Sequence, residues 1–503
     1  MKKIYTLFAA AFAVLTVASC NMDLKPLKSI AYDPDAQLIE TSSDLTSFEI
    51  GIMSRFRSTL GGNYDVTEEL MMDGFNATSN FGNRYGTVHR ANNTFTSTNE
   101  YVEGIWAGYY TALKDYNILI AALDNVPEAL AEDAATVKGE ALFFRAYTYL
   151  QLARHWGKAY SSTADTDLCV PLVLVYDQLE KPARATVAAV YEQIGKDLET
   201  AAELLADVKG SPRAIRPTYD AVRALQARYY LDIHDTENAL KAADDVITSA
   251  AGYALASTAA EMKAEFVDDS GKEPILQLYT EKPSELPNSK NMFTYNQNNP
   301  DGVEIYGPDY LPSGKLLNSY TTTDLRREAW FTSTKHPLEY NRISYNDVFV
   351  FVKFEGNPAL ATTLLNGCTS PKPLKIGEMY LIAAEAALEA GETRTAAGYL
   401  NTLQTKRGTV ATDATWDNLK KEWFKETVGE GLRMSCLKRW GDGFTARTAQ
   451  QKALDGAILM TGEYYEQRAM AANDRAFCWP IPSYEIKVNE NIASQQNPGY
   501  SAE

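Results

Sequence analysis

Residues 221–247 read AVRALQARYYLDIHDTENALKAADDVI, and residues 378–404 read EMYLIAAEAALEAGETRTAAGYLNTLQ. Aligned end to end, the two stretches place alanine over alanine and leucine over leucine at the apolar positions, with Ala227 over Ala384 as one example. Apolar residues recur every three or four positions in both halves of each stretch, and a short polar turn separates the halves. Each stretch is therefore predicted to form two antiparallel helices in close contact.

This repeat predicts the fold class. Helix pairs with small residues at their contact resemble tetratricopeptide units of roughly 34 residues, which bury their apolar faces only by stacking on neighbours. We expect an all-α, mainly helical chain built as a tetratricopeptide-like superhelix of helix pairs with a loop-rich second half that contains short strands. The predicted pairs are residues 101–157, 186–233, 217–250 and 374–407.

Two segments interrupt the helical spacing. Residues 61–99 are rich in Gly, Asn and Thr and also contain aromatic side chains. Residues 252–373 contain many Pro and Asn residues, many aromatics and short strand-like runs at 275–279 and 348–354. An irregular insertion of that length inside a helical body is usually functional. We expect it to be a ligand-binding subdomain of one domain that spans residues 36–503.

The N-terminus has the pattern of a secretory signal. Lys2 and Lys3 precede the apolar run 4–17, and small residues precede Cys20. The sequence Val-Ala-Ser-Cys resembles a bacterial lipobox, which predicts a signal peptide over 1–19, lipidation at Cys20 and a flexible leader over 20–35 that tethers the body to a membrane. The alternative is an ordinary secretory peptide that leaves Cys20 as a chance thiol.

Composition narrows the possible partners. The net charge is −17, and removing the signal peptide takes away two lysines and no acid. No basic stripe interrupts this acidity, so nucleic-acid binding is not expected. Four widely spaced cysteines remain after Cys20, with no zinc-binding spacing, so we expect no zinc site and mostly buried thiols, with a disulfide possible but not needed. No metal-binding residues are predicted, and no cofactor is expected.

Sequence blocks with a characteristic order follow one another along the mature chain: KGEALFFRAYTYL at 138–150, GEMYLIAAEA at 377–386, EGLR at 430–433, LKRWG at 437–441, WPIPSYE at 479–485 and QNPGY at 496–500. In content and order they resemble the motifs of the SusD/RagB family of outer-membrane nutrient-binding lipoproteins, and the resemblance covers most of the mature chain. Cys436 stands where the family usually has Asp, a departure that concerns packing more than ligand, and residues 421–424 lack the usual Glu-Arg.

The resemblance implies a role. Such proteins sit over a SusC-like, TonB-dependent barrel transporter in the outer membrane, face the cell exterior, and deliver to the barrel an oligosaccharide or, in some branches, a peptide. They bind their ligand without cutting it. Trp106, Trp156, Trp440 and Trp479 lie within or beside the family blocks, and we expect them to serve packing.

Sugar recognition needs flat apolar rings and planar polar groups, which loops rich in aromatics, Asn, Asp and Arg supply. Two loop segments have this composition, so we predict ligand-binding residues in both, although any of these aromatics could instead pack beneath its own loop. The predicted ligand-binding residues are Asn76, Asn80, Phe81, Arg84, Tyr85, Tyr295, Tyr306, Tyr310 and Trp330.

No motif for nucleotide binding or hydrolysis is present in the sequence, and we expect no catalytic residues. Two alternatives to a glycan-binding protein remain open besides the peptide-binding branch. One is a glycoside hydrolase on a helical scaffold, which needs two carboxylates facing each other across a cleft. The other is a scaffold that recognises a protein through its superhelix alone.

Overall fold

The computed structural model describes residues 37–286, 290–294, 296–298, 304–333, 338–340, 343–345, 347–360 and 367–501. The predicted signal peptide, Cys20, the leader and Tyr295 lie outside these residues. Within them, no helix combines the length and apolarity that a membrane span requires.

Helices dominate the described chain, and short strands accompany them. The helices are α1 (Ser42–Arg57), α2 (Asn63–Met71), α3 (Gly86–Arg90), α4 (Glu100–Ala122), α5 (Ala131–Trp156), α6 (Val187–Leu204), α7 (Tyr219–Asp232), α8 (Thr236–Ile247), α9 (Ala259–Val267), α10 (Gly314–Ser319), α11 (Leu325–Trp330), α12 (Ile376–Glu389), α13 (Thr393–Lys406), α14 (Trp416–Glu426), α15 (Arg433–Trp440) and α16 (Ser483–Val488). The strands are β1 (Phe75–Ala77), β2 (Leu168–Pro171), β3 (Arg184–Thr186), β4 (Pro274–Leu276), β5 (Asn296–Asn298), β6 (Glu304–Tyr306), β7 (Tyr310–Pro312), β8 (Phe331–Ser333), β9 (Leu338–Tyr340), β10 (Ile343–Tyr345), β11 (Phe349–Phe351) and β12 (Leu374–Lys375).

Seven helices pack in chain order, each against the next, and form what we call the helix array: α4, α5, α6, α7, α8, α12 and α13. Helix α8 packs directly on α12, so the two halves of the sequence repeat are neighbours in space although the insertion separates them in the chain. Ala227, Ala239, Ala384 and Ala396 are all buried at these contacts, as close approach of two helices requires. The predicted tetratricopeptide-like fold class is confirmed.

Polar side chains fix where the helices of the array begin. Asn99 caps α4, Thr186 caps α6, Thr218 caps α7 and Asp235 caps α8, each by accepting a hydrogen bond from a backbone N–H of the first turn. Such caps satisfy donors that have no partner inside the helix and contribute about 1 kcal/mol each. The turns between helices are thereby set by local sequence.

The insertion, residues 252–373, is joined to the rest of the molecule by two-stranded antiparallel pairs. Strand β4 pairs with β12 at the start of α12, and β7 pairs with β1 from the N-terminal loop. The remaining pairs in the described chain are β2 with β3, β5 with β6, β8 with β11 and β9 with β10. The insertion therefore shares its core with the helical body.

Two glycines set the path between α14 and α15. Gly429 and Gly431 have φ of 77° and 67°, a left-handed conformation that side chains with a Cβ rarely adopt. A Cβ on Gly429 would lie 2.6 Å from a ring carbon of Phe354. The helical stretch 416–440 is consequently broken at the glycines, as its sequence indicates.

Trp106, Trp156 and Trp479 form a buried aromatic group, with ring centroids of Trp156 5.1 Å from Trp106 and 5.4 Å from Trp479. The indole N–H of Trp156 donates to the carbonyl of Pro480 at 2.9 Å, which attaches the C-terminal segment to α5. The packing role predicted for these three tryptophans is confirmed. Trp440 is half-buried and donates to Glu385 on α12.

Candidate functional site

The pairing of β1 with β7 brings the two predicted ligand-binding segments together. Ala77 lies opposite Tyr310 in the register, although more than 200 residues separate them in the chain. Just beyond the strands, Thr78 donates from its backbone N–H to the carbonyl of Asp309 and from its hydroxyl to the carbonyl of Pro308, both at 2.9 Å. The loop after β1 and the loop before β7 therefore form one surface.

A polar cluster lies on that surface. The Arg84 guanidinium donates to the amide oxygen of Asn291 at 3.1 Å and lies 3.4 Å from a carboxylate oxygen of Asp309. The Arg84 side chain is 36% exposed and the Asp309 side chain 15%. Burial raises the pKa of Asp309 to about 6, and the Arg84 charge opposes that rise. A guanidinium, an amide and a carboxyl group offer the donors and acceptors that hydroxyl-rich ligands need.

Two further predicted residues are accessible. Asn80 is exposed, and its backbone N–H donates to the Thr78 hydroxyl at 3.2 Å. Tyr306 is half-buried and donates its hydroxyl to Glu355 at 3.3 Å. We define the loop face as Asn80, Arg84, Asn291, Tyr306 and Asp309.

Five predicted ligand-binding residues are instead buried. Asn76 is 1% exposed, Phe81 8%, Tyr85 2%, Tyr310 0% and Trp330 2%. Rings at this level of burial have no free face for a ligand in this conformation. The sequence shows that these residues lie in loops rich in aromatic side chains, but it does not show whether the rings are exposed. Burial of a large ring in a neighbouring core is itself strongly favourable.

The contacts of the buried aromatic residues show which parts of the structure their side chains stabilise. Tyr85 stacks on Tyr101 at a centroid separation of 4.3 Å. Tyr310 donates its hydroxyl to the backbone carbonyl of Arg84 at 2.6 Å and thereby fixes the loop that carries the guanidinium. Trp330 lies beneath the ammonium of Lys353, whose Nζ is 4.0 Å from the ring centroid. These residues position the loop face or the adjoining core and do not line the surface.

An open groove adjoins the loop face through β1. The side-chain amide of Asn76 donates to the backbone carbonyl of Thr448 at 3.1 Å, and Ser79 donates from its N–H to the carbonyl of Ile458 at 2.7 Å. The groove has a volume of about 560 Å³, within the range of sites that hold small organic ligands. It is lined by Thr445, Ala446, Thr448, Ala449, Lys452, Asp455, Glu466 and Gln467.

Neither this groove nor the tyrosine beside it, Tyr465, is among the sites predicted from the sequence. Tyr465 accepts a hydrogen bond from Arg90 at 3.1 Å and packs edge-on against Phe81 at 6.4 Å. The sequence does contain an indication of this tyrosine, because the aromatic pair Tyr464-Tyr465 lies inside an irregular polar stretch. That stretch has the same composition as the two loops predicted to bind the ligand.

A separate cleft lies between the helix array and the insertion. It has a volume of about 80 Å³ and is lined by Tyr147 and Arg228 from the array and by Lys290 and Phe354 from the insertion, among others. The ionic side chains that line it are paired inside the protein, for example Lys290 with Asp65 at 2.8 Å. Among the predicted ligand-binding residues that the structure describes, none lines this cleft.

Comparison with known proteins identifies the family. Residues 28–231 match a family described as starch-binding and associating with the outer membrane, and residues 372–500 match the SusD family. The matches cover both ends of the helix array and the C-terminal segment. The chain belongs to the SusD family. No curated protein matches it significantly.

Solved structures share the fold over nearly the whole chain. A SusD superfamily protein from Bacteroides thetaiotaomicron is 24% identical, with a TM-score of 0.74 over 90% of this chain and 99% of that one. A SusD superfamily protein from Bacteroides vulgatus is 24% identical, with a TM-score of 0.74 over 92% and 100%. Surface glycan-binding protein A from Bacteroides fluxus is 21% identical, with a TM-score of 0.69 over 92% and 100%.

Proposed function

We propose that this protein binds an oligosaccharide at the cell surface and delivers it to a SusC-like, TonB-dependent transporter in the outer membrane. The observation that carries the proposal is the β1–β7 pairing, which brings the side chains of Asn80, Arg84 and Asp309 together beside an open groove, with Tyr306 three residues before Asp309 in the chain. Family membership and the surface glycan-binding protein with the same fold support the ligand class.

The ligand contacts follow from the chemistry of the loop face. Arg84 and Asn80 donate hydrogen bonds to sugar hydroxyls, Asp309 accepts them, and the half-buried ring of Tyr306 packs against a sugar face. A hydrogen bond to a charged group contributes about 1.5–3 kcal/mol, which is roughly a 10- to 100-fold change in affinity. The groove extends this contact along a longer chain of sugars.

The proposed location rests on the N-terminal pattern and the family. A lipid on Cys20 anchors the protein to the outer membrane, and the leader, several tens of ångströms long when extended, lets the body move over the transporter. The strongly acidic body adds no attraction of its own to anionic surfaces. We place the body on the outer face of the membrane.

A binding assay with matched variants tests the ligand class. The mature domain is screened on a glycan array, and affinity for the best ligand is measured by calorimetry. Arg84→Ala should weaken binding by roughly 10-fold or more, and Asn80→Ala, which removes a neutral hydrogen bond, by roughly 2- to 10-fold. Arg394→Ala is the control, because Arg394 is an exposed arginine on α13 of the helix array. Equal affinity for all three variants would refute the loop face as the site.

The same experiment separates the alternatives. No binding to any glycan on the array, together with binding of oligopeptides, would assign the protein to a peptide-binding role. New reducing ends after incubation with the bound glycan would show a glycoside hydrolase. We expect binding without new reducing ends.

A further inference from the structure

A small cavity lies where the C-terminal ends of α5 and α7 meet α15. Its volume is about 20 Å³. Four basic side chains line it, together with a single acidic one. The basic residues are Arg154, Lys158, Lys438 and Arg439, and the acid is Asp232. On a chain with a net charge of −17, this local excess of positive charge requires an explanation.

The Arg154 guanidinium has hydrogen-bonding capacity left over. Its Nε and Nη2 donate to the two carboxylate oxygens of Asp232 at 2.7 and 3.1 Å. Its Nη1 is buried and has no hydrogen-bond partner in the described part of the chain. The residue is only 7% exposed, so bulk water does not replace the missing partner.

The ammonium of Lys438 also has a donor left over. Two of its three N–H groups are used by the backbone carbonyls of Arg154, at 2.7 Å, and of Gly157. These carbonyls are neutral, and no carboxylate among the described residues forms an ion pair with Lys438. One N–H of this half-buried residue therefore has no acceptor among the described residues, and its charge is balanced only by the partial negative charge of the carbonyls at the C-terminal end of α5.

The other charges around the cavity cancel. Asp232 accepts from both Arg154 and Arg439, and Glu385 accepts from Arg439 at 2.8 Å, so two arginines face two carboxylates. Lys158 pairs with Asp167, an exposed contact at 2.5 Å. Of the basic side chains that line the cavity, Lys438 is therefore the one without a carboxylate partner among the described residues.

We propose that this cavity binds one small monovalent anion, of the size and charge of chloride, between Arg154 and Lys438. One negative charge balances Lys438, and the anion accepts the hydrogen bonds that Nη1 of Arg154 and Nζ of Lys438 leave unused. The cavity volume of about 20 Å³ exceeds the roughly 10–15 Å³ that one water molecule needs, so the cavity has room for one small ion.

The bound anion stabilises one particular junction. Arg154 belongs to α5, Asp232 to the end of α7, and Lys438 to the LKRWG segment on α15, which the sequence marks as a family block. The anion bridges α5 and α15 in addition to the direct bonds from Lys438 to the carbonyls at the end of α5. Its loss should loosen the contact between the helix array and the C-terminal segment.

Bromide tests the site directly. Crystals of the wild-type mature domain grown in sodium bromide should give an anomalous peak in the cavity within hydrogen-bonding distance of both basic groups. Lys438→Met should abolish the peak. An ordered water with no anomalous signal in the wild type would overturn the proposal, and this result does not depend on whether the variant folds.

Thermal unfolding provides the measurement in solution. At equal ionic strength, sodium chloride should raise the Tm of the wild type above its value in sodium gluconate by about 1–3 °C. The difference should vanish in Lys438→Met and persist in Lys196→Met, a control on an exposed lysine of α6. A difference of equal size in both variants would mean that chloride acts elsewhere and would contradict the proposal.

Discussion

The assignment of Trp330 to the core, and not to the ligand surface, can be tested by separating stability from binding. Its side chain is 2% exposed, its carbonyl accepts from the N–H of Val352 at 2.8 Å, and its ring covers the Lys353 ammonium at 4.0 Å. Lys353 in turn donates to Glu430 at 2.6 Å and to the carbonyl of Val428 at 3.0 Å. Removing the ring therefore opens a cavity beside a buried ion pair.

The expected magnitude follows from these contacts. A buried Trp→Ala change costs about 3–5 kcal/mol, and loss of a desolvated cation–π contact about 1–2 kcal/mol more. Trp330→Ala should thus lower the free energy of unfolding by roughly 4–7 kcal/mol, a large share of the ~5–15 kcal/mol available to a protein. Trp330→Phe retains a ring and should lose less, which leaves a folded protein for binding measurements.

The assay is urea unfolding followed by circular dichroism, with calorimetric binding on Trp330→Phe. Trp416→Ala is the matched control, because Trp416 is 38% exposed in the first turn of α14 and its loss should cost well under half as much. We expect unchanged glycan affinity in Trp330→Phe. Near wild-type stability together with lost binding would refute the core assignment and restore Trp330 to the ligand site.

Three further changes test the electrostatics and the backbone. Because burial raises the pKa of Asp309 to about 6, folding binds a proton there, and the contribution of Asp309 to stability declines as pH rises from about 4 to 6. Asp309→Asn should raise Tm at pH 8 and leave it unchanged at pH 4, whereas an equal shift at both values would contradict this cause. Asp73 is fully buried between Arg433 and Lys315, and these two cations hold its pKa below the ordinary value. Asp73→Asn should therefore lower the free energy of unfolding, measured in urea, by about 3–5 kcal/mol at pH 7 and by nearly as much at pH 5. A loss confined to pH 7 would be inconsistent with a lowered pKa. Gly429→Ala, at φ 77° and 2.6 Å from a phenylalanine ring carbon, should lower Tm by several degrees, while Gly398→Ala, which meets no neighbour in α13, should not lower it.

The helical part of the fold could be predicted because its signals are local. Apolar spacing, alanines at the contacts and caps such as Thr218 and Asp235 all lie within a few residues of the helices they define. The repeat of 221–247 in 378–404 then predicts stacking. The break between α14 and α15 is also local, since Gly429 and Gly431 are visible in the sequence.

The site could be predicted only in part because its contacts are non-local. Composition identified the loops that carry Arg84 and Tyr306, but nothing in the sequence states that β1 pairs with β7 or that Thr448 borders Asn76. Whether a loop aromatic is exposed depends on those same contacts. Tyr310 and Trp330 therefore have the sequence context of ligand residues although their rings lie in the core.

The crystal structure of the mature domain with its best-binding oligosaccharide tests the central claim most directly. We expect sugar hydroxyls within hydrogen-bonding distance of Arg84 and Asp309, a sugar ring against Tyr306, and the chain continuing into the groove lined by Thr445 to Gln467. Oligosaccharide bound on the helix array, or in the cleft beside Tyr147 and Lys290 with the loop face bare, would contradict the account.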